Sequence, residues 1–178
     1  TMLGDRQEAW LAEGLKDTSR PWTVLAQQIL MMQMHNDGKP DKWDRVPAAR
    51  KRLFDALEGA KGTLPVTLTG DVHYAAAGEL RRDFGSTSGP ALGVEFVSTS
   101  IASHASSRNS TKWLNETLAG QPYVKHISLR RGWTQHHVSA KQWRAEFRTV
   151  DDPADPDSDT AQEKMFVVEA GKAAVQAG

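Results

Sequence analysis

"DRVPAARKRLFDALEGAKGTLPVTLTGDVHYAAAGEL", residues 44–80, holds the change of period on which the fold turns. In its first half Val46, Ala49, Leu53 and Leu57 recur every three or four residues, which places them along one side of an α-helix. Asp44 is read as its N-cap, Pro47 is tolerated in the first turn, and Gly59 or Gly62 offers the stop. From Leu64 the spacing gives way to an apolar run, "LPVTLTGDVHYAAAGEL", read as one strand, and "GVEFVSTSI" at 93–101 reads as another. A helix alternating with buried strands predicts an α/β layered sheet.

The flanks extend the pattern. "GDRQEAWLAEGLKD", residues 4–17, sets Gln7, Trp10, Leu11, Gly14 and Leu15 on one side of an amphipathic helix. "WTVLAQQILMM", bounded by Pro21 and "HNDGKP", is a strand candidate. Residues 98–122 are rich in Ser, Asn and Gly and predict a long loop with a short helix over "TKWLNETLAG". "YVKHISLRRGWTQHHVS" and "KQWRAEFRTV" predict an antiparallel hairpin, the second strand alternating Trp143, Ala145 and Phe147 against Arg144, Glu146 and Arg148. "DDPADPDSDT" is an exposed acidic linker, "EKMFVVEAG" a last strand and "KAAVQAG" a tail.

Lys and Arg together number 22, as do Asp and Glu, so no global field draws the chain to nucleic acid, and no nucleic-acid-binding surface is expected. The absence of cysteine excludes disulfides and thiolate chemistry, leaving Asp, Glu, His, Asn and backbone oxygens to hold any metal. No run of eighteen apolar residues occurs, so no membrane span is expected, nor does a charged-then-apolar leader open at Thr1.

Asp71 and His73 stand where the apolar run of "VTLTG" stops, and alternate strand residues share a face, so both could point into one crevice. A carboxylate beside a neutral imidazole suits a transition metal. On spacing alone the simpler reading is that Asp71 caps a turn and His73 is a half-buried, hydrogen-bonded residue. The other histidines carry less: His136 and His137 are neighbours on opposite strand faces and read as exposed positions, and His126 reads as a strand residue. His104 falls in the serine-rich loop and His35 in a surface turn. Arg130 and Arg131 could grip a phosphate but read more simply as a solvated face. Glu95, inside an apolar strand, needs a partner and reads as structural. Trp10, Trp22, Trp43 and Trp113 read as core and interlayer packing.

Taken in order, "LGDRQEAWLAEGLKDTSRPWTVLAQQ", "DKWDRVPAARKRLFDAL", "LTGDVHYA", "VEFVSTSIAS", "RRGW" and "FVVEAG" resemble the C-terminal part of the PhoD-like alkaline phosphatases and phosphodiesterases, a branch of the calcineurin-like metallophosphoesterases. The resemblance implies the C-terminal half of a four-layer αββα sandwich, filling residues 1–178, with the N-terminal metal-binding half absent. It implies hydrolysis of phosphate mono- or diesters, Fe3+ and Ca2+ as cofactors, and a secreted or periplasmic setting. In this family "GDVH" is the counterpart of the superfamily's last metal motif, commonly Gly-His-x-His, so Asp71 and His73 are the implied ligands, with Asp71 replacing the first histidine. The family's earlier motifs, an Asp-x-x-Asp after a strand and a Gly-Asn-His, do not occur in the chain. Further ligands are then expected from a missing N-terminal half or a second chain, since two ligands do not hold a multinuclear cluster. The alternative is a non-catalytic binding module built on the same fold.

Overall fold

The computed structural model describes residues 1–34, 42–86, 89–103 and 110–178. Three helices, α1 (Asp5–Gly14), α2 (Pro47–Gly59) and α3 (Thr111–Gly120), cover one face of a five-stranded sheet. That sheet contains β1 (Trp22–Ala26), β2 (Leu64–Thr69), β3 (Ala75–Leu80), β4 (Gly93–Val97) and β5 (Val124–Ser128), in the order β1-β2-β4-β3-β5. β1, β2 and β4 run parallel, and β3 is antiparallel to both its neighbours. A second sheet, β6 (Gly132–Val138), β7 (Gln142–Val150), β8 (Thr160–Glu169) and β9 (Gln176–Ala177), is an antiparallel meander against the other face. The described residues therefore form three layers, helices on sheet on sheet, in the α/β class that the alternating pattern predicts. No described helix is long and apolar enough to cross a membrane.

Two apolar cores share the first sheet as their common wall. Between helices and sheet lie Leu53, Phe54 and Leu57 of α2, Trp113 of α3, and Val72, Tyr74 and Val97. Between the sheets lie Leu64, Val66, Val94 and Phe96, facing Trp143, Ala145, Phe147, Phe166 and Val168. Phe147 and Phe166 meet edge to face at 5.9 Å. Burying each such ring contributes on the order of 2 kcal/mol.

Several sequence expectations are corrected by this packing. "LPVTLTGDVHYAAAGEL" is two strands, β2 and β3, broken at residues 70–74 and separated in the sheet by β4. β1 stops at Ala26, and the apolar residues beyond it, Leu30 to Met32, are buried in an irregular segment instead. Val46, not Asp44, is the N-cap of α2, and Asp44 pairs with Arg50. Trp10 is 71% exposed, and α1 itself contains no buried residue, because Leu15 just beyond its end makes the deep contact. The expected hairpin splits: β5 belongs to the first sheet, and the chain crosses to the second before β6. The tail adds β9 to β8. The helix over "TKWLNETLAG" and the alternation of Trp143, Ala145 and Phe147 on the buried face of β7 are both found.

His136 is not an exposed position. Its Nδ1 accepts a hydrogen bond from Trp143 Nε1 at 2.9 Å, and its ring lies 5.5 Å from Phe96. That bond requires the neutral imidazole, with its proton on Nε2. Burial pulls the imidazole down to about 4, helped by the neighbouring His137. An unfolded histidine titrates near 6.5, so between about pH 6.5 and 4 the unfolded chain binds a proton that the native chain refuses. Stability is therefore present above that window and is lost as pH falls through it, on the order of 2 kcal/mol after allowing for partial exposure. His136→Gln, which keeps an acceptor for the Trp143 N–H, is expected to flatten this dependence in urea titrations from pH 7 to 4. An unchanged slope would contradict the assignment.

Candidate metal site

The bend between β2 and β3 is built by alternation of a particular kind. Val72 is fully buried and Tyr74 is 1% exposed, both in the core beneath the helices, where the Tyr74 ring meets that of Trp113 at 5.2 Å. Asp71 is exposed and His73 partly buried. The two apolar side chains nail the bend down and leave the two potential ligands on its outside.

The price in conformation is visible. Asp71 has φ 67° and His73 φ 62°, the only described non-glycine residues in the left-handed region. Such conformations cost a non-glycine residue roughly 1–2 kcal/mol and persist where the surroundings over-determine them. The strand alternation expected from sequence is therefore not what places these residues: two left-handed turns around a buried valine do. Val72 N donates to Gly70 O at 2.8 Å, closing the turn, and Gly70 N donates to Gln28 O at 3.1 Å. Asp71→Ala is expected to be about 1 kcal/mol less stable than Asp71→Gly, because only glycine enters this region freely. Equal unfolding midpoints for the two variants would show that the bend is not held as described.

A buried charged network lies behind the bend. Glu95 in β4 is fully buried and accepts three hydrogen bonds: Met31 N at 2.9 Å, Met32 N at 2.7 Å and Thr69 Oγ1 at 2.6 Å. Its expected partner is thus a backbone turn, and the structural reading of Glu95 is found. Desolvation raises its carboxyl, opposed by those hydrogen bonds and by Lys42. The Lys42 side chain is 2% exposed, and burial draws its ammonium down to about 8 against the fields of Asp44, Asp71 and Glu95. Burial also raises the Tyr74 phenol, with Glu95, Asp44 and Asp71 adding to the effect. Sequence reading missed Lys42 and Tyr74. A lysine next to a turn and a tyrosine after a histidine give no periodic signal of burial.

The remaining candidates do not join the bend. The His126 ring packs against those of Phe147 and Phe166, at 5.1 and 5.6 Å. His137 faces outward, 3.3 Å from Glu146. Arg130 pairs with Asp151 at 2.6 Å, and Arg131 donates to Ser100 Oγ at 3.2 Å. His35 and His104 lie outside the described residues. Among the described residues no group of three or more His, Cys, Asp or Glu side chains could hold a metal ion. One carboxylate and one imidazole fit a hard or borderline cation, weakly by themselves and tightly as part of a fuller centre.

The profile of the PhoD-like phosphatases matches residues 1–147. The chain belongs to the PhoD-like phosphatase family. It is 32% identical over 173 residues to alkaline phosphatase D of Bacillus subtilis (strain 168), covering 94% of this chain and 30% of that protein. A solved structure of PhoD superposes with a TM-score of 0.84 at 29% identity, over 98% of this chain and 34% of that one. The PhoD-like chain thus spans about a third of the length of the relatives it matches. A purple acid phosphatase from yellow lupin shares the fold at a TM-score of 0.55 and 13% identity, over 93% of this chain and 28% of that one.

Proposed function

We propose that Asp71 and His73 are two metal ligands of a PhoD-like centre that hydrolyses phosphate mono- or diesters, the other ligands coming from a polypeptide segment outside these 178 residues. The observation that supports this most directly is the pair of left-handed residues astride buried Val72, in a chain whose family is a phosphatase family. Left-handed non-glycine residues of this kind cluster at functional sites, and here both carry side chains able to bind a metal. The coverage of only 30–34% of the relatives supports the external origin of the remaining ligands.

Fe3+ and Ca2+ are the ions the family suggests; when bound they supply an activated water nucleophile and neutralise the phosphoryl charge. The chain's own contribution is positional. Asp71 offers an anionic oxygen donor, His73 a nitrogen donor, and Val72 and Tyr74 fix both against the core. The family's secreted or periplasmic setting is part of the same proposal.

The test is a Mn2+ titration of the isotopically labelled chain, followed by paramagnetic broadening of its amides. Broadening centred on residues 71–73, and abolished in Asp71→Asn, is expected, with no turnover of a bis-aryl phosphate by the isolated chain. Broadening confined to the acidic loop at 151–159, or unaffected by Asp71→Asn, would overturn the ligand assignment. Stoichiometric iron or calcium with turnover by the chain alone would overturn the external origin of the other ligands.

A further inference from the structure

Fully buried Glu95 reaches the candidate ligand bend by two separate routes. Its Oε1 accepts from Thr69 Oγ1, and Thr69 is the last residue of β2, two before Asp71. Its two oxygens also accept from Met31 N and Met32 N, anchoring the irregular segment that follows β1. That segment carries Gln28, whose carbonyl receives the Gly70 N–H. Both routes therefore end at residues 69 and 70, immediately before the first left-handed residue. β4 is a stiff base for this clamp: its five residues are all buried, and it pairs with β2 on one side and β3 on the other. The strands that enter and leave the bend are thus both hydrogen-bonded to the strand that bears Glu95.

We propose that Glu95 is a positioning residue for the metal-ligand bend, holding residues 69 and 70 so that Asp71 and His73 stay in their left-handed conformations. This rests on the reading of Asp71 and His73 as ligands. A carboxylate is needed because both of its oxygens face donors. In a glutamine the amide nitrogen would confront either the Met32 N–H or the Met31 N–H, so at least one of the two main-chain bonds would be lost and the clamp loosened. Outer groups that orient metal ligands typically change metal affinity by about 10- to 100-fold when altered.

The experiment uses the full 178-residue chain without metal first. A positive φ brings a residue's amide proton close to its own Hα, giving a strong intraresidue Overhauser contact at Asp71 and His73. In Glu95→Gln and in Thr69→Val that contact is expected to weaken at both residues, while signals of the second sheet stay in place. Thr149→Val is the control: its buried hydroxyl has no hydrogen-bond partner among the described residues, and it lies in the other sheet. Mn2+ affinity read at residues 71–73 is expected to fall about tenfold or more in the two test variants. Should Glu95→Gln fail to fold, the near-isosteric Thr69→Val decides alone. Left-handed signatures unchanged in the folded variants, or weakened equally in the control, would overturn the proposal. Wild-type chain that binds no Mn2+ at residues 71–73 would overturn the ligand reading instead, since the metal-free Overhauser data judge the clamp separately.

Discussion

Glu95→Ala is expected to destabilise the chain by about 3 to 5 kcal/mol, measured by urea unfolding at neutral pH. The carboxylate is surrounded, and two of its three partners are main-chain N–H groups of Met31 and Met32, which Glu95→Ala leaves in place. Truncation leaves these donors and the Thr69 hydroxyl buried without acceptors, each costing roughly 1–3 kcal/mol. Relief of the buried charge offsets part of that loss, and the emptied volume adds to it. Leu30, Met31 and Met32 are each at most 1% exposed, so water does not readily replace the lost acceptor. A loss below 1 kcal/mol would mean that the segment after β1 is held by its side chains alone.

Gly132→Ala is expected to cost about 3 kcal/mol or more, from a different cause. A Cβ at Gly132 would sit 1.8 Å from the carbonyl oxygen of Arg148 and 2.8 Å from its carbon. The obstacle is the backbone of the neighbouring strand, which has no rotamer to change. Gly132 has φ 156°, opens β6 and pairs with Thr149, while Val150 N donates to Arg131 O at 2.9 Å one rung along. Relief demands that β6 separate from β7 at the point where the chain enters the second sheet. A circular-dichroism melt should show a midpoint lower by about 6 to 12 degrees or more for a domain of this size. A change of one or two degrees would mean that the first rungs of β6 are not formed as described.

These two residues show what was and was not legible in the sequence. Glu95 stood out because a carboxylate inside "GVEFV" must find donors, and its structural role was readable although its partners were not. Gly132 gave no sign: a glycine after two arginines resembles any turn, and the Arg148 carbonyl beside it is sixteen residues away in sequence. The helix over residues 111–120 and the buried face of β7 were legible because each rests on local periodicity alone. β2 and β3 merged into one expected strand because buried strands lack alternation, so apolar residues on both sides of residues 70–74 concealed the break. Asp71 and His73 were legible as a pair but not in their geometry. Their arrangement comes from Val72 and Tyr74 reaching a core assembled from distant helices, which no spacing rule contains.

The single passage of the chain between sheets, from β5 to β6, divides the molecule by the range of its pairings. β6 to β9 pair in sequence order, each with the next, through short connections. The first sheet must instead bring β2 to β4 and β3 to β5 across intervening segments. Local pairings close at low entropic cost and distant ones late, so the meander should assemble rapidly and offer its apolar face as a template. The bend bearing Asp71 and His73 belongs wholly to the slow part, and its geometry should be among the last things that folding completes.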